Sequence, residues 1–134
     1  MSENACMIKA DQKEICLYPS EPIIRILGKQ YTLLIIGLLG NKGKSGFNEI
    51  AKSTGNPRPN LLSHRLFELE EAGLVKRNVL QEKPVRVEYS LTEKGEQLRK
   101  LLIPLFEWLE SVQKRGKSDQ ERPLVLPSPP LASE

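Results

Sequence analysis

Asn60, Ser63 and His64 follow Pro59 closely in the chain and carry an amide, a hydroxyl and an imidazole. Each of these groups can both give and accept hydrogen bonds. An asparagine amide can in addition make the paired bonds that adenine offers in the major groove of duplex DNA. Around them lie Asn48 and the cations Lys44, Arg58, Arg65, Lys83 and Arg86, whose side chains suit phosphate oxygens. A catalytic reading has less behind it. Glu68 and Glu71 have the spacing of a helical acid pair, but no nucleophile, metal set or glycine-rich phosphate loop accompanies them, so the chain is expected not to be an enzyme. One histidine, His64, and two cysteines, Cys6 and Cys16, cannot supply four zinc ligands, and neither a metal nor a cofactor is expected. The two cysteines read as thiols rather than as a structural bridge, with a redox switch as their candidate role.

The charge is distributed in a way that favours a polyanionic partner. The net charge is only +3, yet residues 41–91 hold nine basic against six acidic groups, while the two flanking segments are each balanced. The basic excess therefore coincides with the hydrogen-bonding cluster. With 39% hydrophobic and 28% charged residues in 134, the composition is that of one globular domain able to bury its own core. The longest apolar run, residues 31–39, is far short of the roughly 20 residues of a membrane helix. No signal-peptide layout opens the chain, and a cytoplasmic location is expected.

Stepping along the sequence, hydrophobic periodicity predicts the elements that hold these residues. Ile23, Ile24, Ile26 and Leu27 form one face of a helix introduced by Pro22, with Ser20 or Glu21 at its start. A core helix over about 29–39 follows, carrying Leu34, Ile35, Leu38 and Leu39 and stopped by Gly40 and Asn41. After a loop over 41–46, Phe47, Ile50 and Ala51 mark a short helix that ends before Gly55. Pro59 opens the next helix, whose buried face is Leu62, Leu66 and Leu69 and which Gly73 closes. Asn60, Ser63, His64 and Phe67 then fall on the opposite, outward side. Residues 75–80 and 85–91 read as an antiparallel hairpin. Thr92 caps a last helix with the stripe Leu98, Leu101, Leu102, Leu105, Leu109 and Val112, in which Pro104 is expected to make a kink.

A helix pair followed by a two-stranded hairpin is the layout of a winged helix-turn-helix, mainly α with a small β-hairpin wing. The expected organisation is an N-terminal arm or helix over 1–20, the winged domain with its terminal helices over 21–113, and a proline-rich, disordered tail over 114–134. The terminal helices carry more apolar surface than so small a core can cover, which points to a homodimer through Ile23, Ile24, Leu27, Leu102, Leu105, Phe106, Trp108, Leu109 and Val112. The function that follows is sequence-specific binding of double-stranded DNA, with residues 59–72 in the major groove and residues 75–91 on the backbone or minor groove. The alternative is a winged helix used only to bind other proteins; a steep fall of affinity for duplex DNA with salt would separate the two.

Four stretches carry a family resemblance: residues 28–36, 47–50, 62–77 and 84–95. Together with Trp108 they resemble the HxlR-type branch of the MarR-related winged-helix regulators over about residues 21–110. Val87-Glu88-Tyr89-Ser90-Leu91-Thr92 followed by Lys94-Gly95 is the more specific part; Leu69 to Val75 is shared by many winged helices. The resemblance implies a dimeric transcription factor of prokaryotic type, joined through its terminal helices. Three positions depart from the pattern. Tyr31 stands near the place of a usual tryptophan. Gly46 replaces an arginine that serves a phosphate, which leaves Lys44 as the substitute. Cys16 lies near, but out of register with, a usual cysteine-proline pair.

Overall fold

The computed structural model describes residues 7–18 and 20–120, with side chains as far as Lys114. The elements run β1 (Met7–Ala10), β2 (Lys13–Cys16), α1 (Pro22–Leu27), α2 (Thr32–Lys42), β3 (Ser45–Gly46), α3 (Phe47–Ser53), α4 (Pro59–Glu71), β4 (Val75–Glu82), β5 (Val85–Leu91) and α5 (Glu93–Gln120). Two units, Met1–Arg99 and Lys100–Glu134, make up the chain.

In the first unit the interior is filled by Ile26 of α1, Ile35, Ile36 and Leu39 of α2, Ile50 of α3, Leu62, Leu66 and Leu69 of α4, Leu74 just before β4, and Val75, Tyr89 and Leu91 of the sheet. The helical period of α4 thus buries the three leucines the sequence assigns to its inner face. Its end follows the same logic. Gly73 adopts φ +78°, and the N–H groups of Gly73 and Leu74 donate to the carbonyls of Glu70 and Leu69, a left-handed close to the helix that side chains with a Cβ resist.

The three-stranded sheet has the order β3-β5-β4, all antiparallel. Its third strand, Ser45–Gly46, pairs with Tyr89 and Glu88 and lies inside the stretch the sequence reads as a loop. Two residues are too short to show alternation, so only the tertiary pairing makes them a strand. The hairpin β4-β5 pairs Val75 with Leu91 and Arg77 with Tyr89, and a bulge between Val79 and Gln81 interrupts its outer half. Its root is fixed by Thr92, whose hydroxyl donates to the Gly73 carbonyl (2.6 Å) and accepts from the Gly95 N–H (3.0 Å). Gly95 is buried against this corner, and a Cβ there would fall on the carbonyl oxygen of Leu74.

Other expectations need correction. Residues 7–16 form a hairpin, not a helix, turning through Asp11 and Gln12 at positive φ; its short alternation with charged residues at every turn carries no recognisable period. The core helix starts at Thr32 rather than near residue 29. Tyr31 sits in the left-handed region and residues 28–31 make a turn, in which the carbonyl of Gln30 accepts from Arg65 Nε (2.8 Å). In the second unit, α5 continues to Gln120, so residues 114–120 are helical where a tail is expected; residues 121–134 lie outside the described residues. The helix is continuous through Pro104. No helix among the described residues is long and apolar enough to cross a membrane.

Candidate nucleic-acid interface

The outward face of α4 divides into three ridges. Asn60 and Phe67 occupy its crest, and Phe67 is 55% exposed despite being aromatic. Ser63 and Glu70 lie on the side of the wing, where with Phe67, Arg77 and Tyr89 they border a cleft of about 350 Å³. His64 lies on the other side, its Nε2 3.6 Å from Glu68. Asn60 and Ser63 make no side-chain hydrogen bond among the described residues, and both are exposed.

That other side is an electrostatic seam. Glu68 accepts from Lys29 Nζ and from Arg65 Nη1, both at 2.5 Å. Partial burial pushes the Glu68 carboxyl up, but the hydrogen bonds and charges of Lys29 and Arg65 outweigh it and hold the group below the ordinary carboxylate range. Arg65, one of the candidate contacts, is engaged within the chain. It is 7% exposed and its guanidinium is spent on Gln30 and Glu68, so it ties α4 to the turn before α2. Its sequence position lies at the edge of the inner face, and the partner that takes its guanidinium there is a carbonyl 35 residues away.

A second cleft, about 480 Å³, separates the start of α3 from the wing and brings Asn48 and Arg86 together along with Phe47, Leu80 and Val87. Here Gly46 and Lys42 are already committed. The Gly46 N–H and Lys42 Nζ donate to Glu49 (3.0 and 3.1 Å), and these bonds, the backbone one first, hold the Glu49 carboxyl below its usual range. Lys44 is exposed just before β3, Arg58 is exposed at the residue preceding α4, and Lys83 stands at the turn of the wing. Arg77 and Phe67 belong to the same surface and are absent from the sequence-derived contact set. The alternation of β4 with the buried Val75 would have placed Arg77 on the face toward α4, had the register been read from the strand's first residue.

The residues assigned to a partner chain fall into two groups. Ile23, Ile24 and Leu27 are half-buried on α1. On α5, Leu105, Trp108 and Leu109 are exposed, Phe106 and Val112 are half-buried, and Leu102 is already buried in the single chain and has little surface to offer a partner. Leu101, outside the expected set, is the most exposed of this helix's apolar residues at 75%. Cys16 is exposed on β2 across from Met7, and Cys6 lies outside the described residues. Among the described residues no cluster could hold a metal ion.

Comparison with known proteins matches residues 26–117 to the family described as HxlR-like helix-turn-helix. The chain is 43% identical over 99 residues to the HTH-type transcriptional regulator YvaP of Bacillus subtilis, covering 73% of this chain and 89% of that protein. It is 36% identical over 96 residues to the HTH-type transcriptional regulator YodB of the same organism, covering 72% and 85%. Among solved structures, one described as a possible HxlR family transcriptional factor from Thermoplasma volcanium superposes with a TM-score of 0.72 at 38% identity, covering 81% of this chain and 96% of that one.

Proposed function

The chain belongs to the HxlR-like helix-turn-helix family of DNA-binding transcriptional regulators, which are not enzymes, and from that premise we propose that it works as a homodimer on a near-palindromic operator, with α4 in the major groove and the wing on the backbone or the adjacent minor groove. One observation carries this reading. Ser63 and Phe67 on α4 share a cleft with Arg77 of β4, Asn48 of α3 shares another with Arg86 of β5, and none of Arg77, Lys83 and Arg86 has an ion-pair partner among the described residues. Hydrogen-bonding side chains of the helix pair thus stand beside unpaired cations of the wing, as base readout with phosphate neutralisation requires.

The dimer rests on α5. Leu101, Leu105, Trp108 and Leu109 recur at helical spacing and are all exposed, which is the surface a second copy of the helix would cover. A two-fold dimer presents two copies of α4, so its half-sites lie about one helical turn, or a multiple of it, apart.

The experiment is a titration of the full chain against a duplex selected from a random pool and against a scrambled duplex, over a salt series, with the mass in solution read by light scattering. The reading predicts a selected site with two-fold symmetry, an affinity that falls steeply with salt, and a mass near twice 15.2 kDa. Binding that does not distinguish the two duplexes leaves the protein-interaction alternative in its place.

A further inference from the structure

A helix lying in a major groove and a wing lying in the neighbouring minor groove straddle one sugar-phosphate strand, because a single strand is the wall between those grooves. Whatever lines the gap between α4 and the wing faces that strand. In this chain the gap is the cleft of about 350 Å³ bordered by Ser63, Phe67, Glu70, Arg77 and Tyr89.

We propose that this cleft is the seat of one operator backbone strand in each half-site, and that Arg77 is its phosphate ligand. The inference rests on the placement of α4 and the wing given above.

Three observations support it. The first is availability. Several cations of the first unit are occupied: Arg65 by Gln30 and Glu68, Lys29 by Glu68, Lys42 by Glu49, and Arg99 by the Gly37 carbonyl and Asn41. Arg77 is exposed and no carboxylate lies within ion-pair distance of it among the described residues. The second is placement. Arg77 stands directly opposite Tyr89 on the middle strand β5, and Tyr89 is in turn opposite Ser45 of β3. The guanidinium is therefore carried by the part of the wing with a paired strand and a buried neighbour behind it, not by the bulged outer half. A guanidinium fork matches two phosphate oxygens at once.

The third is the charge gradient within the cleft. Ser63 brings a hydroxyl donor and Phe67 an exposed apolar ring suited to the face of a deoxyribose, whereas Glu70, two turns further along α4, brings a carboxylate. An anionic strand is held at the Ser63 end and repelled from the Glu70 end. The cleft so fixes where the backbone crosses α4, and with it the register in which Asn60 meets the bases.

The test uses the full chain and its selected duplex, with single methylphosphonate groups, which are neutral, replacing phosphates one at a time. The expected result is one phosphate in each half-site, flanking the base pairs whose preference depends on Asn60, at which neutralisation weakens binding about tenfold. Arg77→Gln should cost about the same on unmodified DNA and lower the salt slope by about one, and neutralising that phosphate should cost this variant nothing more. Arg77→Lys should keep the salt slope and lose part of the affinity, and Glu70→Gln should tighten binding to selected and scrambled duplexes alike. Equal melting temperatures for the variants establish that folding is not the cause. Additive losses from Arg77→Gln and the neutral phosphate, or an unchanged salt slope, would overturn the proposal even while Asn60→Ala relaxes base preference and the groove assignment stands. If no selected site emerges at all, the groove assignment fails and the seat with it.

Discussion

On the flank of α4 that meets the turn before α2, Arg65 is buried, and its guanidinium, the Lys29 ammonium and the Glu68 carboxylate are bonded to one another or to the Gln30 carbonyl. On the flank that meets the wing, Arg77 is exposed with no ion-pair partner among the described residues, and Glu70 shares its cleft without pairing to it. The residue types on the two flanks are nearly the same. What differs is whether a backbone carbonyl and a carboxylate wait where the guanidinium lands. On the first flank the charges hold α4 against the core; on the second they remain for a polyanion.

The largest expected effect tests the first flank. Arg65→Ala leaves Glu68 with one cation fewer and the Gln30 carbonyl without its donor, at a cost of about 3 kcal/mol seen as a lower urea midpoint with an unchanged slope. Arg77→Ala should stay within about 0.5 kcal/mol. Equal losses from the two would erase the distinction between the flanks. Next in size, Gly95→Ala forces a methyl onto the Leu74 carbonyl at the root of the wing and should cost about 2 kcal/mol in thermal unfolding. It should also weaken binding to selected and scrambled duplexes, since it disturbs the base from which the wing cations project; undiminished affinity would show that the wing needs no fixed root.

A smaller effect comes from pH. The Glu68 carboxyl is held lower in the folded chain than in the unfolded one, so the folded state binds fewer protons, and the stabilisation is fully present above the unfolded carboxylate value. It disappears as the pH falls through the folded value. Glu68→Gln should flatten the stability profile across that acidic range, measured by urea unfolding at stepped pH; an unchanged profile would contradict the role given to Lys29 and Arg65. His64→Ala, at an exposed imidazole, should alter stability by less than about 0.5 kcal/mol.

How much of this was legible in the sequence follows from the range of each interaction. The inner face of α4, its closing glycine and the two long strands were readable because a period of 3.6 or of two, and a left-handed cap, are local facts. Ser45–Gly46 was not, since two residues show no period and the strand exists only through Tyr89 and Glu88. Tyr31 illustrates the same limit: the apolar run continues through it, yet its left-handed backbone, beside the Gln30 carbonyl that Arg65 bonds from 35 residues away, marks the start of α2. Among the candidate contacts, Asn60, Ser63 and His64 are exposed as their spacing requires, while the burial of Arg65 and the exposure of Arg77 were not legible because an arginine's placement is set by its partners. The N-terminal hairpin carried no readable pattern because all but Met7 and Leu17 of residues 7–18 are exposed, so burial imposes no alternation.

The central claim is that α4 reads bases while the wing holds the backbone, and affinity of Asn60→Ala and Arg86→Ala for selected and scrambled duplexes over one salt series tests it most directly. The account predicts that Asn60→Ala costs roughly 1 to 3 kcal/mol on the selected site, relaxes preference at one or two base pairs per half-site and leaves scrambled DNA nearly untouched. Arg86→Ala should weaken both duplexes alike and lower the salt slope by about one. A change of base preference from Arg86→Ala, with a uniform loss from Asn60→Ala, would contradict it.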